Sequence, residues 1–383
     1  MSNRIRSLDV LRGFSITGIL FMNIVGFHEN YYYVNPLVKF ANDKDVLLQQ
    51  LSLLFIHNSF YPIFSFLFGF GMAIMADNMF QRGQNIFPRL IRRLLFLLVL
   101  GILHGSLLFY GDILNTYAIF GLLLLLFLVL SPRIALVSSI CLVTIHFSLH
   151  FNELISVILK PEDYQVVLNK NNAFGNEVWQ EAIRDRDYLL ILGLNMGTFL
   201  GANTPLIGGK IFIFYLLTVF PFMLFGSYAY RTKLINKILK HKTSAIITAS
   251  IFLIIGLTVK GFGIYHHINA EMMENFTYYG GIFIAMSYIV FTIILCENNK
   301  VLMYLTPFEK IGKISLTCYI FQSISMFIIF YVLGLYSQLS LSQVFSIALI
   351  LTVVQCVGAQ LYLKRYKQGP LEYIWRKFTY WSK

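Results

Sequence analysis

Apolar runs of about 20 residues recur along the whole chain, and this repetition constrains the fold more than any other feature. A helix of about 20 apolar residues crosses the hydrocarbon core of a bilayer. Only 13% of the 383 residues are charged, whereas soluble domains carry about 25%. A soluble fold would need a very large core with almost no polar surface. The sequence therefore predicts an all-α polytopic integral membrane protein.

We predict about ten transmembrane helices in a single transmembrane domain over residues 1–383. The short run 117–131 needs local thinning of the bilayer or shielding by neighbouring helices. The first run follows three arginines but lacks a small-residue cleavage site, which favours a helix over a signal peptide. The predicted spans are 10–28, 51–75, 94–110, 117–131, 134–151, 211–229, 244–264, 277–296, 314–334 and 341–363.

The distribution of charge orients these helices. With the N-terminus inside, the inside segments hold 22 Lys/Arg and 5 Asp/Glu, whereas the outside segments hold 8 and 13. Because basic residues concentrate in cytoplasmic loops, we predict that both termini lie in the cytoplasm. The net charge of +12 is spread over short loops, which is atypical of a nucleic-acid binder. We expect the lipid bilayer as a partner, no nucleic acid, and a multi-pass location in the cell membrane.

The region between the fifth and sixth spans is the hardest to assign. Residues 152–188 are polar and of mixed charge, which predicts an extracytoplasmic loop or cap. A Gly-rich run near 189–209 follows. A full crossing there would place the lysine-rich segment 230–243 outside, so we predict a re-entrant or interfacial segment. Irregular backbone at membrane depth survives only where it is buried in protein or lines a wet cavity.

Polar residues inside the first span form one candidate site, because ionisable groups in membrane spans are costly and commonly functional. Asp9 and Arg12 are three residues apart, so they share a helix face and can pair. Asn23 lies eleven residues beyond Arg12, about three turns along the same face. The alternative is a helix cap with interfacial charges at a membrane border.

A histidine and a carboxylate form a second candidate site around the third span. His104 lies within an apolar run, and Asp112 lies in the tight turn after it. A continuous helix would separate them by roughly 12 Å, a distance that a bend at Gly111 can change. A carboxylate that fixes the tautomer of a histidine produces a general base. The alternative is structural: His104 bonds between helices and Asp112 caps the next helix.

Other polar residues give weaker indications. Arg92 and Arg93, with Arg89, are either topology anchors or a cytosolic site for a phosphorylated donor. His57 lies near the outer side and can line the same cavity as Asn23. Motifs for phosphate-binding loops, dinucleotide folds and metalloproteases are absent, and the four cysteines form no CxxC pair. We expect no metal.

Several sequence stretches together resemble the YeiB-type family of membrane proteins, the domain of unknown function 418. The opening Arg6-x-x-Asp9-x-x-Arg12-Gly13 also resembles, more distantly, a wider group of transmembrane acyltransferases. That group includes the acyltransferase family 3 sugar O-acetylases and heparan-α-glucosaminide N-acetyltransferase. The family resemblance is carried by residues 6–27, 64–74, 100–125, 312–323 and 369–380.

The distant resemblance implies transfer of an acyl group from cytosolic acyl-CoA or acetyl-CoA to a small-molecule, glycan or lipid acceptor. Asn23 stands where acyltransferase family 3 has a functional histidine, and asparagine cannot act as a general base. We therefore predict His104 as the base, Asp112 as its orienting group and Asn23 as a donor to the oxyanion or acceptor. The remaining predictions assign donor binding to Asp9, Arg12, Arg92 and Arg93, and acceptor binding to His57 and Asn115.

The alternative function is a transporter or exporter of a small polar or amphiphilic molecule, without chemistry. The same polar residues would then line a pathway. Because buried charge is expensive in lipid, we expect Asp9, Arg12 and His104 to face one common chamber. The sequence leaves open the acyl chain length, the acceptor and whether the protein is a homo-oligomer.

Overall fold

The computed structural model describes residues 6–29, 43–164, 173–203 and 209–380, which form helices and short turns. The helices are α1 (Arg6–His28), α2 (Asp43–Phe55), α3 (Phe60–Gln81), α4 (Ile86–Leu107), α5 (Leu114–Val129), α6 (Pro132–Leu159), α7 (Ala173–Arg184), α8 (Tyr188–Asn203), α9 (Gly209–Thr218), α10 (Phe220–Arg231), α11 (Leu234–Lys240), α12 (Lys242–Tyr265), α13 (Ala270–Leu295), α14 (Asn299–Tyr304), α15 (Thr306–Lys313), α16 (Ser315–Phe327), α17 (Leu341–Arg365) and α18 (Pro370–Thr379).

Eight segments of the described chain are long and apolar enough to cross a bilayer, which confirms the polytopic all-α prediction. The predicted spans 94–110 and 117–131 correspond to α4 and α5, which are not among the eight. The 16 residues of α5 extend about 24 Å, less than the roughly 30 Å of a hydrocarbon core. The eight segments are Arg6–His28, Asp43–Gln81, Pro132–Leu159, Phe212–Arg231, Lys242–Tyr265, Ala270–Leu295, Ser315–Val332 and Leu341–Arg365.

The predicted continuous helix 51–75 is instead divided by a turn at residues 56–59. Asn58 adopts a left-handed backbone conformation there, with φ of 56°, a conformation that asparagine tolerates better than most residues. Polar side chains at the turn take up hydrogen bonds that a continuous helix would make internally. A second irregularity follows α16, which continues into a π-helical turn over Ile328–Val332.

The region 152–210 is more helical than predicted. Helix α6 continues to Leu159, beyond the predicted end at residue 151, and a 3₁₀ turn follows at Pro161–Tyr164. The Gly-rich run expected to be irregular forms α8 up to Asn203, and α8 packs against α4 and α7. Its 16 residues are apolar but too few for a full crossing, in keeping with the predicted re-entrant or interfacial segment.

Helix α1 lies at the centre of the bundle and contacts α3, α13, α15, α16 and α17. Two glycines allow its backbone to touch that of α15. A Cβ atom on Gly13 would overlap the carbonyl oxygen of Phe308, and one on Gly312 would overlap that of Asp9. By contrast, only 17% of the most apolar stretch of α6 and of α12 is buried in the protein. These peripheral helices offer their apolar surfaces to lipid.

Candidate functional site

His104 joins α4 to the α4–α5 turn and to α16. Its Nδ1 atom lies 2.8 Å from Oδ1 of Asp112, and its Nε2 atom lies 2.7 Å from Oγ of Ser323. All three side chains are buried. The roughly 12 Å expected for a continuous helix is replaced by direct contact, because α4 ends at Leu107 and the chain turns back. The structure thus brings the predicted pair together and adds a serine.

Asp112 determines which atoms donate and which accept in the hydrogen bonds that link it to His104 and Ser323. A carboxylate only accepts hydrogen bonds, so Nδ1 of His104 donates to it. In the neutral ring Nε2 is then an acceptor, and the Ser323 hydroxyl donates to it. The other carboxylate oxygen, Oδ2, accepts the backbone N–H of Asn115 at 2.8 Å. Asp112 therefore both caps the start of α5 and holds the histidine.

Tyr319 lies beside this chain, one helical turn before Ser323 on α16. Its ring centroid is 5.0 Å from that of His104. The Tyr319 hydroxyl is buried and faces the backbone of Ile113, but it donates to no group among the residues that the structure describes. A buried hydroxyl of this kind is a donor available to a reacting group.

A cavity of about 940 Å³ lies at the outer ends of the helices in the predicted orientation. Three of the predicted site residues line it: Asn23, His57 and Asp112. Its lining residues include four carboxylates and two histidines but no lysine or arginine. The lining is mostly apolar, its ionisable groups are mainly acidic, and Asp112 connects the cavity to His104. The ionisable lining residues are His57, Asp112, His150, Glu153, Glu271 and Glu274.

A second polar network faces the same cavity at the turn between α2 and α3. Nε2 of His57 lies 3.1 Å from Oε2 of Glu274, and Nδ2 of Asn58 donates to Oε1 at 2.9 Å. The ammonium of Lys260 donates to the carbonyl oxygen of His57 at 2.5 Å and to Oγ of Ser59 at 2.8 Å. Lys260 is fully buried, so these bonds replace its hydration.

Charged residues at the other end of α1 form a group on the predicted cytosolic side. Arg12 donates to Asp9 at 3.2 Å, which confirms that the two residues pair. Arg6 donates to Glu309 of α15 at 2.6 Å and 3.0 Å, and Lys313 donates to the same carboxylate at 2.5 Å. Burial raises the pKa of Glu309, but the bonds from Arg6 and Lys313 outweigh it, and the pKa is lowered.

Helix α18 packs on this side against α4. The guanidinium of Arg93 lies 3.4 Å from the ring centroid of Trp375, whose Nε1 donates to the carbonyl oxygen of Arg93 at 2.8 Å. Arg92, one residue earlier, is half-buried. The same helix lines a groove of about 940 Å³ whose lining residues include three cations and no carboxylate. The groove residues are Arg82, Gln368, Tyr373, Ile374, Arg376, Lys377, Phe378 and Tyr380.

The predicted site residues therefore separate into an outer group, a buried group and a cytosolic group. We expected Asp9, Arg12 and His104 to face one common chamber. They line neither the outer cavity nor the groove beside α18. Their charges are instead accommodated by pairing within the bundle. Asn115 is buried behind Asp112, where its side-chain oxygen accepts from Thr116 at 3.1 Å. It does not line the outer cavity, so the acceptor contact predicted for it is not seen.

Sequence reasoning missed three residues of these networks: Ser323, Lys260 and Glu274. A signal was present for each. Ser323 is the last residue of the segment 312–323, which carries part of the family resemblance. It follows Gln322 in the middle of an apolar run. Lys260 is a charge inside the predicted span 244–264, and Glu274 stands just before the next one. Their partners could not be inferred, because they lie more than 200 residues away in the chain.

The fold and these buried networks define a polytopic all-α membrane protein with polar regions at both ends of its helices. Residues 229–382 match the family described as "Protein of unknown function (DUF418)", and relatives align over nearly the whole chain. This is the family that the sequence motifs predicted.

Three uncharacterised bacterial proteins are similar to this chain. YxaH of Bacillus subtilis (strain 168) is 29% identical, over 100% of this chain and 95% of its own length. A 39.9 kDa protein of Bacillus acidopullulyticus, encoded in the amylase 3' region, is 24% identical over 99% and 95%. YeiB of Escherichia coli (strain K12) is 23% identical over 97% and 95%. No solved structure matches the chain.

Proposed function

We propose that this protein is a membrane-bound acyltransferase that passes an acyl group from cytosolic acyl-CoA to an extracytoplasmic or membrane acceptor. The observation that carries the proposal is the buried contact between His104 and Asp112, with Ser323 at the far side of the ring. A histidine held by a carboxylate on Nδ1, with Nε2 facing a hydroxyl, is the arrangement that general-base acyl transfer uses on unrelated folds.

The charges at the two ends of the bundle support the direction of transfer. The groove beside α18 has cations and aromatic rings but no acidic lining residue, which suits the phosphates and adenine of acyl-CoA. The outer cavity has carboxylates, amides and hydroxyls, which suit a hydroxylated acceptor. We place the protein in the bacterial cell membrane, with the groove in the cytoplasm.

The predicted residues other than Asn115 have a place in this scheme. His104 takes the proton of the attacking hydroxyl, and Asp112 keeps the ring in the correct tautomer. Asn23, which lines the outer cavity, is a hydrogen-bond donor to the acceptor, and His57 contacts the acceptor from the opposite wall. The predicted donor-binding residues Asp9, Arg12, Arg92 and Arg93 lie on the same side of the protein as the groove, although none of them lines it.

A vesicle assay tests the proposal. In inverted membrane vesicles the cytosolic side faces outwards, so added acyl-CoA reaches the groove. Vesicles that contain the protein are supplied with radiolabelled acetyl-CoA or palmitoyl-CoA, tested separately, and label in the membrane and enclosed fractions is measured. We expect labelled products that have been released from CoA to form only where the protein is present. Equal labelling in vesicles without the protein would reject the proposal.

A transporter is the second candidate, and one observation favours it. The turn between α2 and α3 breaks a helix inside an apolar segment, and polar groups around His57, Glu274 and Lys260 surround the break. Broken helices beside a polar cavity are typical of substrate sites in transporters.

Thermal unfolding of the purified protein separates the two candidates, because a ligand of the folded state raises the melting temperature. Saturation at 100 times the dissociation constant adds about 2.7 kcal/mol. An acyltransferase is stabilised by acyl-CoA and by CoA. A shift with a polar solute, but with neither of these, would favour transport.

A further inference from the structure

We propose that Ser323 is the nucleophile of this transfer and carries the acyl group as a seryl ester between donor and acceptor. The inference rests on the proposed acyltransferase function and deepens it, because a histidine base alone would allow direct transfer without any covalent intermediate. It assigns a catalytic role to a residue of α16 on the basis of its hydrogen bonding.

The hydroxyl of Ser323 is bonded differently from those of Ser15 and Ser346, two other helical serines in this chain. A serine inside a helix commonly donates to the carbonyl oxygen four residues earlier. Ser15 does so at 2.7 Å, and Ser346 does so at 2.7 Å. Ser323 lies 3.4 Å from the corresponding oxygen of Tyr319 but 2.7 Å from Nε2 of His104. Its proton is therefore directed at the base.

In the neutral ring this direction follows from the tautomer. Asp112 accepts from Nδ1, which leaves the lone pair on Nε2 to receive the serine proton. Serine is a weak nucleophile at its ordinary pKa and becomes effective when an adjacent base takes its proton. The nucleophile, the base and the group that orients the base are thus present in order and buried from water.

A donor for the developing oxyanion is also present. The buried hydroxyl of Tyr319 donates to no acceptor among the described side chains and backbone groups. Tyr319 and Ser323 are four residues apart on α16, so they lie on the same face. Preorganised donors beside a nucleophile stabilise the tetrahedral intermediate of acyl transfer.

Ser323 lies between the predicted cytosolic end of α16 and the outer cavity, a position that suits a residue that carries the acyl group from donor to acceptor. It lies eight residues after the start of α16, about 12 Å from that predicted cytosolic end. On the other side, Asp112 lines the outer cavity. A seryl ester at this depth shortens the path that each substrate must cover. A π-helical turn follows α16 at Ile328–Val332, and such turns are frequent at functional sites.

The acyl group is first transferred to Ser323 and then from Ser323 to the acceptor. The Ser323 Oγ atom attacks the thioester carbonyl, its proton passes to Nε2 of His104, and the carbon–sulfur bond breaks. The proton then goes to the leaving thiolate, which departs as CoA. In the second step an acceptor hydroxyl attacks the ester, its proton passes to Nε2, and the ester bond to Ser323 breaks. The proton returns to Oγ, which restores the serine.

The test uses full-length protein reconstituted in synthetic phosphatidylcholine, which contains no bacterial acceptor. Acetyl-CoA and palmitoyl-CoA are added separately, the reaction is stopped with acid, and peptides are mapped by mass spectrometry. We expect an acyl adduct on the peptide that contains Ser323, released by alkaline but not by neutral hydroxylamine. The adduct should vanish in Ser323→Ala and remain in Ser325→Ala, the matched control two residues away. Tyr319→Phe should slow its formation by about 100-fold.

The outcomes distinguish the inference from the function on which it rests. If the wild type carries no adduct with either thioester, but label still crosses in the inverted vesicles, the serine carrier is rejected and acyl transfer stands. If neither adduct nor transfer is seen, both are rejected. Because the adduct is located on the wild-type chain, the result does not depend on the folding of a variant. An adduct on another residue also overturns the assignment.

Discussion

His104 and Asp112 are eight residues apart in the chain, yet their side chains meet at 2.8 Å, because α4 ends three residues after the histidine. The early end of the helix is therefore part of the site. It places a carboxylate from the turn on one edge of the imidazole, while α16 supplies a hydroxyl to the other edge. The same carboxylate begins α5, so the geometry of the base and that of the turn depend on each other.

Replacement of Asp112 by asparagine should remove activity while the cap of α5 is retained. The amide oxygen can still accept from the backbone of Asn115, but it no longer selects the tautomer of His104. We expect acyl transfer to fall by a factor on the order of 10³–10⁴. The vesicle assay measures this, with Asp185→Asn, at an exposed position, as the control. Unchanged transfer in Asp112→Asn would mean that the carboxylate is only a cap.

Substitution of Gly312 by alanine should separate α15 from α1. A Cβ atom there would overlap the carbonyl oxygen of Asp9, and overpacking of this kind costs about 1–3 kcal/mol. We expect a lower melting temperature of the purified protein. Gly358→Ala is the matched control, because a Cβ at that helical glycine meets nothing within 4 Å. Equal melting temperatures for the two variants would refute the close packing.

Substitution of Lys260 by methionine should destabilise the turn between α2 and α3. The ammonium satisfies the carbonyl oxygen of His57 and the hydroxyl of Ser59, and buried groups that lose a partner cost about 1–3 kcal/mol each. We expect a lower melting temperature than for the wild type. Lys364→Met, at the exposed end of α17, should leave it unchanged. If Lys260→Met melts no lower than that control, the network does not support the turn.

Stability should fall in acid because of Glu309. Its pKa is lowered in the folded protein, since the bonds from Arg6 and Lys313 outweigh the opposing effect of burial. A carboxyl group whose pKa is lower in the folded than in the unfolded protein stabilises the fold at pH values above its unfolded pKa. This stabilisation is lost as the pH falls through its pKa in the folded protein. Melting temperatures between pH 7 and about pH 3, a range that extends below the ordinary glutamate pKa of about 4.3, should drop less in Glu309→Gln than in the wild type. Parallel curves would contradict this account.

The sequence predicted features that depend on local pattern. Hydropathy was sufficient for the polytopic helical fold, and helical spacing was sufficient for the pair of Asp9 and Arg12. The motifs identified the family. These features follow from residues close together in the chain, where geometry is fixed by the helix itself.

Features that depend on tertiary contact were not predictable. The break at residues 56–59 is stabilised by Lys260 and Glu274, about 200 residues later, so no local pattern indicated it. Glycine-rich composition suggested irregular backbone in 189–209, but its described residues up to Asn203 fold as α8 against α4. Its Asn195 is bonded to the backbone of Tyr110 at 2.8 Å and Gly105 at 3.3 Å. Ser323 was passed over because its partner lies 219 residues away.

The most direct test compares acyl transfer by two histidine variants in the inverted vesicles. His104→Ala removes the base, whereas His241→Ala changes an exposed histidine between α11 and α12. The account predicts that both proteins insert in equal amounts, that label passes from acyl-CoA to products with His241→Ala, and that none passes with His104→Ala. Transfer by His104→Ala at the rate of the control would contradict it.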